Sequence, residues 1–286
     1  MEFILAAALC SVGVSILLKI AKIKGFDPLQ MIAWNYASAA LLCFYWFKPD
    51  FKVISWLETP WLLILALGIL LPSVFLFLAK ALQSAGILKT EIAQRLSVVL
   101  SLLAAYFIFQ EQFTLLKFVG IGLGILAVIL ILFSNSLNTQ DGKQGFSYLL
   151  CVWLGYAAID VLLKYTTSLG LQFAVTLNLI FTCAFILSTL YLLIKYNRVG
   201  SISNILAGLV LGVINFANIA FYVKAHMLLK ETPAIVFAGM NILVVVFGVI
   251  AGLILFKEKL KPMTSVGLVL GIASVGCLAI TMGLKW

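Results

Sequence analysis

Asp160 and Lys164 stand four residues apart inside an apolar stretch, so a helix would carry them on one face. Asp160 is the most interior carboxylate of the chain. A charge at the centre of a membrane helix costs about 2.5–3.5 kcal/mol on insertion scales, so one retained there is a candidate for work. On the functional side, Asp160 is a proton- or substrate-coupling acid that Lys164 neutralises in turn; on the structural side, the two are an ion pair near a helix end. Glu91, Gln94 and Arg95 form a second polar group. Glu91 and Arg95 are also four apart and can pair. Arg95, about one turn into its run, adds to the positive N-terminal end of a helix and suits a carboxylate or phosphate. The plainer alternative is an arginine snorkelling to the headgroups. Lys80 and Lys224 close two runs at related places, where they either flank an anionic substrate or snorkel. His226, two residues after Lys224, reads as interfacial, with proton coupling as its alternative.

Amides and aromatics complete the set. Asn215 and Asn218 are three apart and share a face that reads as cavity wall, and Asn241 lies inside a later run. Asn35 and Asn178 read instead as amides that hold helices together. Trp34, Tyr36, Trp153, Tyr156 and Tyr222 either line a pocket or belong to the interfacial aromatic belt; Trp46, Trp56, Trp61 and Trp286 fit the belt by position. The substrate-contact candidates are therefore Lys80, Gln94, Arg95, Asn215, Asn218, Tyr222, Lys224 and Asn241, with Asp160 and Lys164 as the coupling pair.

The elements that must position these residues are dictated by composition. The chain has 286 residues, 64% hydrophobic and 10% charged, with a mean hydropathy of +1.19. A soluble domain is about 45–50% apolar and about 25% charged, so the solvent here is lipid. Ten apolar runs can be marked, at about 3–20, 29–47, 61–80, 92–109, 116–134, 146–163, 172–194, 203–224, 233–255 and 263–283. Each has about the length that crosses one hydrocarbon core. The first lacks the basic flank of a signal peptide and reads as a retained helix. Short connectors with turn chemistry, such as Asp27-Pro28 and Glu58-Thr59-Pro60, separate the runs. Ser134 to Gly145 is the longest polar stretch and reads as a linker.

The net charge is +9, from 19 basic residues scattered singly between apolar runs rather than clustered on one face. That pattern anchors membrane ends and argues against nucleic-acid binding. The five cysteines lie inside apolar runs without a C-x-x-C pair, and there is one histidine. No metal site, disulfide scaffold or cofactor is expected from them. H-E-x-x-H, G-x-S-x-G and the P-loop pattern do not occur, so the expectation is a non-enzyme.

An internal duplication organises the chain. Phe109-Gln-Glu111, then Val119-Gly120 and Gly124, recurs 147 residues later as Phe256-Lys-Glu258, then Val266-Gly267 and Gly271. Weaker echoes link Leu17-Leu-Lys19 with Leu162-Leu-Lys164 and Ala79-Lys80-Ala81 with Val223-Lys224-Ala225. Residues 1–135 and 146–286 are read as two five-helix repeats joined by a linker at 136–145. An odd helix count turns the second copy upside down relative to the first, the plan of many secondary transporters. The fold class expected is an all-α membrane protein of ten transmembrane helices in two inverted repeats. The glycine pairs have the G-x-x-x-G spacing that lets helix backbones touch. They serve packing within one chain or, alternatively, a dimer contact; a functional monomer is the main expectation.

At these residues, over nearly its whole length, the chain resembles the EamA-type branch of the drug/metabolite transporter superfamily. The resemblance rests on the ten-helix 5+5 plan, the Phe-Gln-Glu111 and Phe-Lys-Glu258 turns and the glycine-bearing fifth and tenth helices. It implies alternating access to a central cavity lined by the first, third, fourth, sixth, eighth and ninth helices, with the fifth and tenth peripheral. It also implies small-metabolite substrates and cytoplasmic termini. The basic residues point the other way on the termini, because connectors after odd-numbered runs carry more Lys and Arg. Many family members carry proline inside the fourth and ninth helices. Here the fourth has none and Pro233 opens the ninth, which leaves breaks at the binding site without their usual residue.

The functional expectation is a secondary active transporter of a small polar metabolite (amino acid, sugar or organic anion) in a bacterial-type cytoplasmic membrane. Coupling would be to protons or to the substrate's own gradient. A flippase for a lipid-linked sugar or phosphate, motivated by Lys80, Lys224 and Arg95, is the alternative, and a non-transporting membrane scaffold is the third.

Overall fold

The structure, a computed structural model, describes residues 1–54, 59–110, 113–134 and 140–283. Among the described residues every regular element is helical. The order is α1 (Glu2–Ile23), α2 (Pro28–Phe47), α3 (Trp61–Ser84), α4 (Ile87–Arg95), α5 (Ser97–Phe109), α6 (Leu115–Phe133), α7 (Gln140–Ser168), α8 (Phe173–Tyr196), α9 (Ile202–Leu228), α10 (Pro233–Ile250) and α11 (Pro262–Gly283). A single π-helical turn, Ala251–Leu255, prolongs α10. Among the described residues nine segments are long and apolar enough to cross a membrane, with α4 and α5 forming one of them. The remaining long helix, α2, has 20 residues and carries Gln30, Asn35, Tyr36 and Ser38, all buried inside protein. Its polar groups meet other helices rather than lipid. The protein is an integral, multi-pass membrane protein.

Local chemistry sets the helix ends. Asp27 caps α2 by accepting from the Leu29 N–H at 2.9 Å, with Pro28 in the first turn. Thr114 and Ser201 cap α6 and α9 in the same way. Two ends depart from the hydropathy pattern. The fourth segment starts at Ile87, five residues before the apolar run, because Lys89, Thr90 and Glu91 are buried against protein. α7 starts at Gln140, within the stretch read as linker, so the polar composition there belongs to a helix start and not to a loop alone.

Packing follows small residues. α2 lies along α9 so closely that a Cβ on Gly208 would sit 2.6 Å from the Met31 carbonyl oxygen, and one on Gly212 2.4 Å from that of Asn35. α6 and α11 pair through the glycines found by duplication. Gly120 faces Cys277 and Leu278, Gly267 faces Ile131, and the Ser274 hydroxyl donates to the Gly120 carbonyl at 2.6 Å. Both glycine stripes are thus used in packing within the chain. α2 runs along α8, α1 along α9 and α3 along α7. Large apolar side chains such as Leu41, Ile186, Ile194 and Val210 remain exposed and form the lipid face.

One end of the bundle is sealed with polar contacts. It is the end where α1 finishes and α4 begins. The Glu258 carboxylate pairs with Lys19 and accepts from the backbone N–H groups of Ile87 (2.7 Å) and Leu88 (3.2 Å). It therefore caps α4 and ties it to α1, the use of charge that a helix N-terminus favours. Gly86 stands at φ +92° directly beneath, where a Cβ would meet a Glu258 oxygen at 2.6 Å. At the same end Gln30 accepts from the Ser201 N–H (3.0 Å) and the Asn204 amide (2.7 Å). The Trp34 indole donates to the Val199 carbonyl at 3.0 Å.

Candidate functional site

A cavity of about 400 Å³ runs from the middle of the bundle toward the opposite end, on the side where α8 and α10 begin and α9 finishes. Seven of the ten polar residues singled out from sequence line it: Gln94, Arg95, Asp160, Asn215, Asn218, Tyr222 and Asn241. Lys80, Lys164 and Lys224 do not line it, and all three side chains are exposed. Lys80 instead lies over the Tyr148 ring, 5.4 Å from its centre. Those lysines sit near helix ends, where a long stem reaches polar surroundings at little cost. Among the aromatic candidates, Tyr36, Tyr156 and Tyr222 line the cavity. Trp34 and Trp153 are spent on hydrogen bonds between helices.

Arg95 is the last residue of α4, and the helix breaks immediately after it, at Leu96. No proline makes the break. The Leu96 carbonyl accepts from the Val99 N–H (3.1 Å) and from the Trp153 indole N–H (3.0 Å), while the Ser97 hydroxyl donates to the Gln94 carbonyl (2.7 Å). Side chains therefore satisfy the polar groups that a helix break frees, a necessity at membrane depth. The break sets Arg95, Ser97 and Val98 on the cavity wall. Arg95 donates through Nη2 to the Ser11 hydroxyl of α1. Its Nε–H has no partner.

Asp160 reaches the same cavity from α7. Its carboxylate accepts from the Ser101 hydroxyl of α5 at 3.1 Å. The Arg95 guanidinium lies within electrostatic reach of it without forming an ion pair. Nor does Glu91 pair with Arg95, as their spacing had suggested. Glu91 is 1% exposed and neither of its carboxylate oxygens is held in a hydrogen bond.

The amides divide by depth. Asn215 donates to the Asn35 side-chain oxygen at 3.1 Å, a bridge between α9 and α2 that also faces the cavity. Asn178 donates to the Ala40 carbonyl (2.9 Å), tying α8 to α2. Asn241 bonds back to the Phe237 carbonyl of its own helix at 2.8 Å. Apolar and aromatic side chains, among them Phe75, Phe181, Phe237 and Met240, complete the wall. α8 contributes Phe173, Leu177 and Phe181 where the resemblance implied α1, whose Ser11 stands behind Arg95 instead; α6 and α11 stay peripheral, as implied. Sequence reasoning missed Ser97 and Ser101. Their spacing of four, which puts both on one face below Arg95, was the available signal.

The model of the EamA-like transporter family matches residues 2–133. A Haemophilus influenzae protein described as uncharacterized is 38% identical over 286 residues, covering 97% of each chain. This chain belongs to the EamA-like transporter family. It is accordingly a membrane transporter of the drug/metabolite transporter superfamily. A solved structure titled only "Crystal structure of protein" superposes with a TM-score of 0.56 at 14% identity, over 98% of this chain and 99% of the other. At that identity the likeness speaks for the fold alone.

Proposed function

We propose that this EamA-like chain is a secondary transporter of small zwitterions of the amino-acid class, working by alternating access in a cytoplasmic membrane. One observation carries the substrate class. Arg95 and Asp160 face a single cavity from the neighbouring helices α4 and α7, without an ion pair between them. A carboxylate can take the guanidinium, which is preorganised for it. An ammonium can take Asp160. The Asn215, Asn218 and Gln94 amides offer neutral contacts, and Phe75, Phe181 and Phe237 receive an apolar side chain. A singly charged ligand would leave one buried charge unmatched, which costs several kcal/mol in such surroundings.

Alternating access is supported by the contrast between the two ends. The cavity opens toward one end, while the other is held shut by Lys19, Glu258 and the cap on α4. Opening there requires the Glu258 cap to let go. Two inverted five-helix halves, 1–135 and 146–286, would supply the rocking motion. The partners observed are those that exchange of the halves generates: α1 with α9 as α7 with α3, α2 with α8, and α6 with α11. Of the three residues that motivated a flippase for a lipid-linked sugar or phosphate, Arg95 lines the cavity, while Lys80 and Lys224 lie off it and lend that reading no support.

The test is a thermal-shift screen of the purified protein against amino acids, sugars and dicarboxylates. Stabilisation by amino acids, lost in Arg95→Ala, is the expected result. Stabilisation by sugars or dicarboxylates but by no amino acid would refute the substrate class.

A further inference from the structure

Glu91 is the one cavity-proximal carboxylate that transport of a zwitterion, as described above, does not use. It sits one helical turn from Arg95, on the side of the sealed end. It is 1% exposed, and both of its oxygens lack a hydrogen-bond partner. Its side chain is seated on α10, where a Cβ on Gly248 would come within 2.8 Å of the Glu91 Cγ. Its charged and polar surroundings are few. Arg95 lies along the same helix, the Ser15 hydroxyl of α1 is close enough to donate weakly to its carboxylate, and Tyr156 on α7 lies within electrostatic reach of Glu91, Arg95 and Asp160 alike. From α10, Gly248 faces it, and Asn241 lies farther along beside Arg95. Lys89 follows toward the helix start, where Lys19 and Glu258 form the cap.

Burying an ionised carboxylate costs several kcal/mol unless it is paired. Glu91 therefore has two economical states, with a proton bound or with a cation drawn against it. The cation at hand is Arg95, whose Nε–H is also without a partner. We propose that Glu91 is a proton-binding site coupled to the cavity through Arg95. The one guanidinium serves either the Glu91 carboxylate or the carboxylate of a substrate. When a substrate anion takes Arg95, Glu91 takes a proton from cavity water; when the substrate leaves, Glu91 returns the proton and Arg95 turns back to it. Substrate and proton then travel in the same direction, and proton binding and substrate binding strengthen each other by an equal factor.

The coupling half of this inference rests on the zwitterion reading, and the site itself does not. The experiment separates the two. Infrared difference spectra of the ligand-free protein across pH should show a protonated carboxyl band that titrates. The band should be absent in Glu91→Gln and should persist to higher pH in Arg95→Gln, because removal of a neighbouring cation disfavours the carboxylate. If Glu91→Gln does not fold, Glu91→Asp keeps the carboxyl and should move the band rather than abolish it. With L-leucine as probe, calorimetry in two buffers of different ionisation enthalpy should show about one proton taken up per molecule bound. Affinity should fall by up to about tenfold per unit of rising pH beyond the titration point. Both effects should vanish in Glu91→Gln. Unbound L-leucine with a normal Glu91 band would overturn the zwitterion reading alone. A missing band, or the same proton uptake in Glu91→Gln, would overturn the proton site.

Discussion

Two places in this bundle hold buried charge, and they treat it in opposite ways. At the sealed end Glu258 is satisfied from three directions, by Lys19 and by the N–H groups of Ile87 and Leu88. In the cavity region Arg95, Asp160 and Glu91 stand close together with one, one and no hydrogen bonds respectively. Lys19 and Glu258 keep 12% and 17% of their side chains exposed, whereas Glu91 is 1% exposed, so desolvation weighs more on the cavity region. The difference teaches how charge is allocated. A charge that is fully met fixes helices in place, and one left partly unmet keeps its interaction free energy for a ligand or a proton. The Glu258 cap ties α1 to α4, and the cavity charges are the ones we propose a ligand and a proton to meet.

That contrast can be broken by substitution. The largest effect expected is that of Arg95→Ala on transport, measured as amino-acid uptake into proteoliposomes. Loss of a charge partner for a desolvated carboxylate costs about 2–5 kcal/mol, so uptake should fall about 30-fold or more. The melting temperature should fall less than for Glu258→Ala, because Arg95 gives up a single hydrogen bond, to Ser11, and the buried carboxylates near it can take up protons. Glu258→Ala should do the reverse to stability. It strands Lys19 and two backbone donors, costs about 2 kcal/mol, and should lower the melting temperature by about 5 °C in a thermal-unfolding measurement. A variant pair in which Arg95→Ala unfolds the protein while Glu258→Ala leaves it unmoved would erase the distinction. Gly212→Ala comes next. Its Cβ has no room against the Asn35 carbonyl, and forcing α2 from α9 should cost about 1–3 kcal/mol by the same melting assay. The smallest effect is that of Lys224→Ala. With the side chain exposed and off the cavity, it should change uptake by less than about twofold and stability by less than about 0.5 kcal/mol.

Much of this arrangement was legible in the sequence because charge in hydrocarbon is conspicuous. Arg95, Asp160 and the Asn215/Asn218 pair stood out as polar residues inside apolar runs, and all four line one cavity. The duplicated Phe-x-Glu turns led to Glu258, which caps α4 at the sealed end. Glu111, the matching residue, lies outside the described residues. What could not be read is what depends on neighbours distant in sequence. Hydropathy started the fourth run at 92, since nothing local reveals that Lys89, Thr90 and Glu91 face protein. The i,i+4 rule paired Glu91 with Arg95, but Ser11, 84 residues away, took the guanidinium. The break at Leu96 has no proline to announce it and is supported by Trp153 from another helix. Lys80 and Lys224 were drawn toward the site by repeat symmetry, although a lysine near a helix end has a cheaper place to go.

The claim at the centre is that Arg95 and Asp160 read the two charges of one zwitterion, and uptake by proteoliposomes tests it most directly. Radiolabelled L-leucine would be competed with its two single-charge analogues, 4-methylpentanoate and 3-methylbutylamine, in the wild type and in Asp160→Asn. L-leucine should be accumulated and both analogues should compete weakly in the wild type, with 4-methylpentanoate becoming the better competitor in Asp160→Asn. Equal competition by all three compounds, unchanged by the substitution, would contradict zwitterion recognition at this cavity.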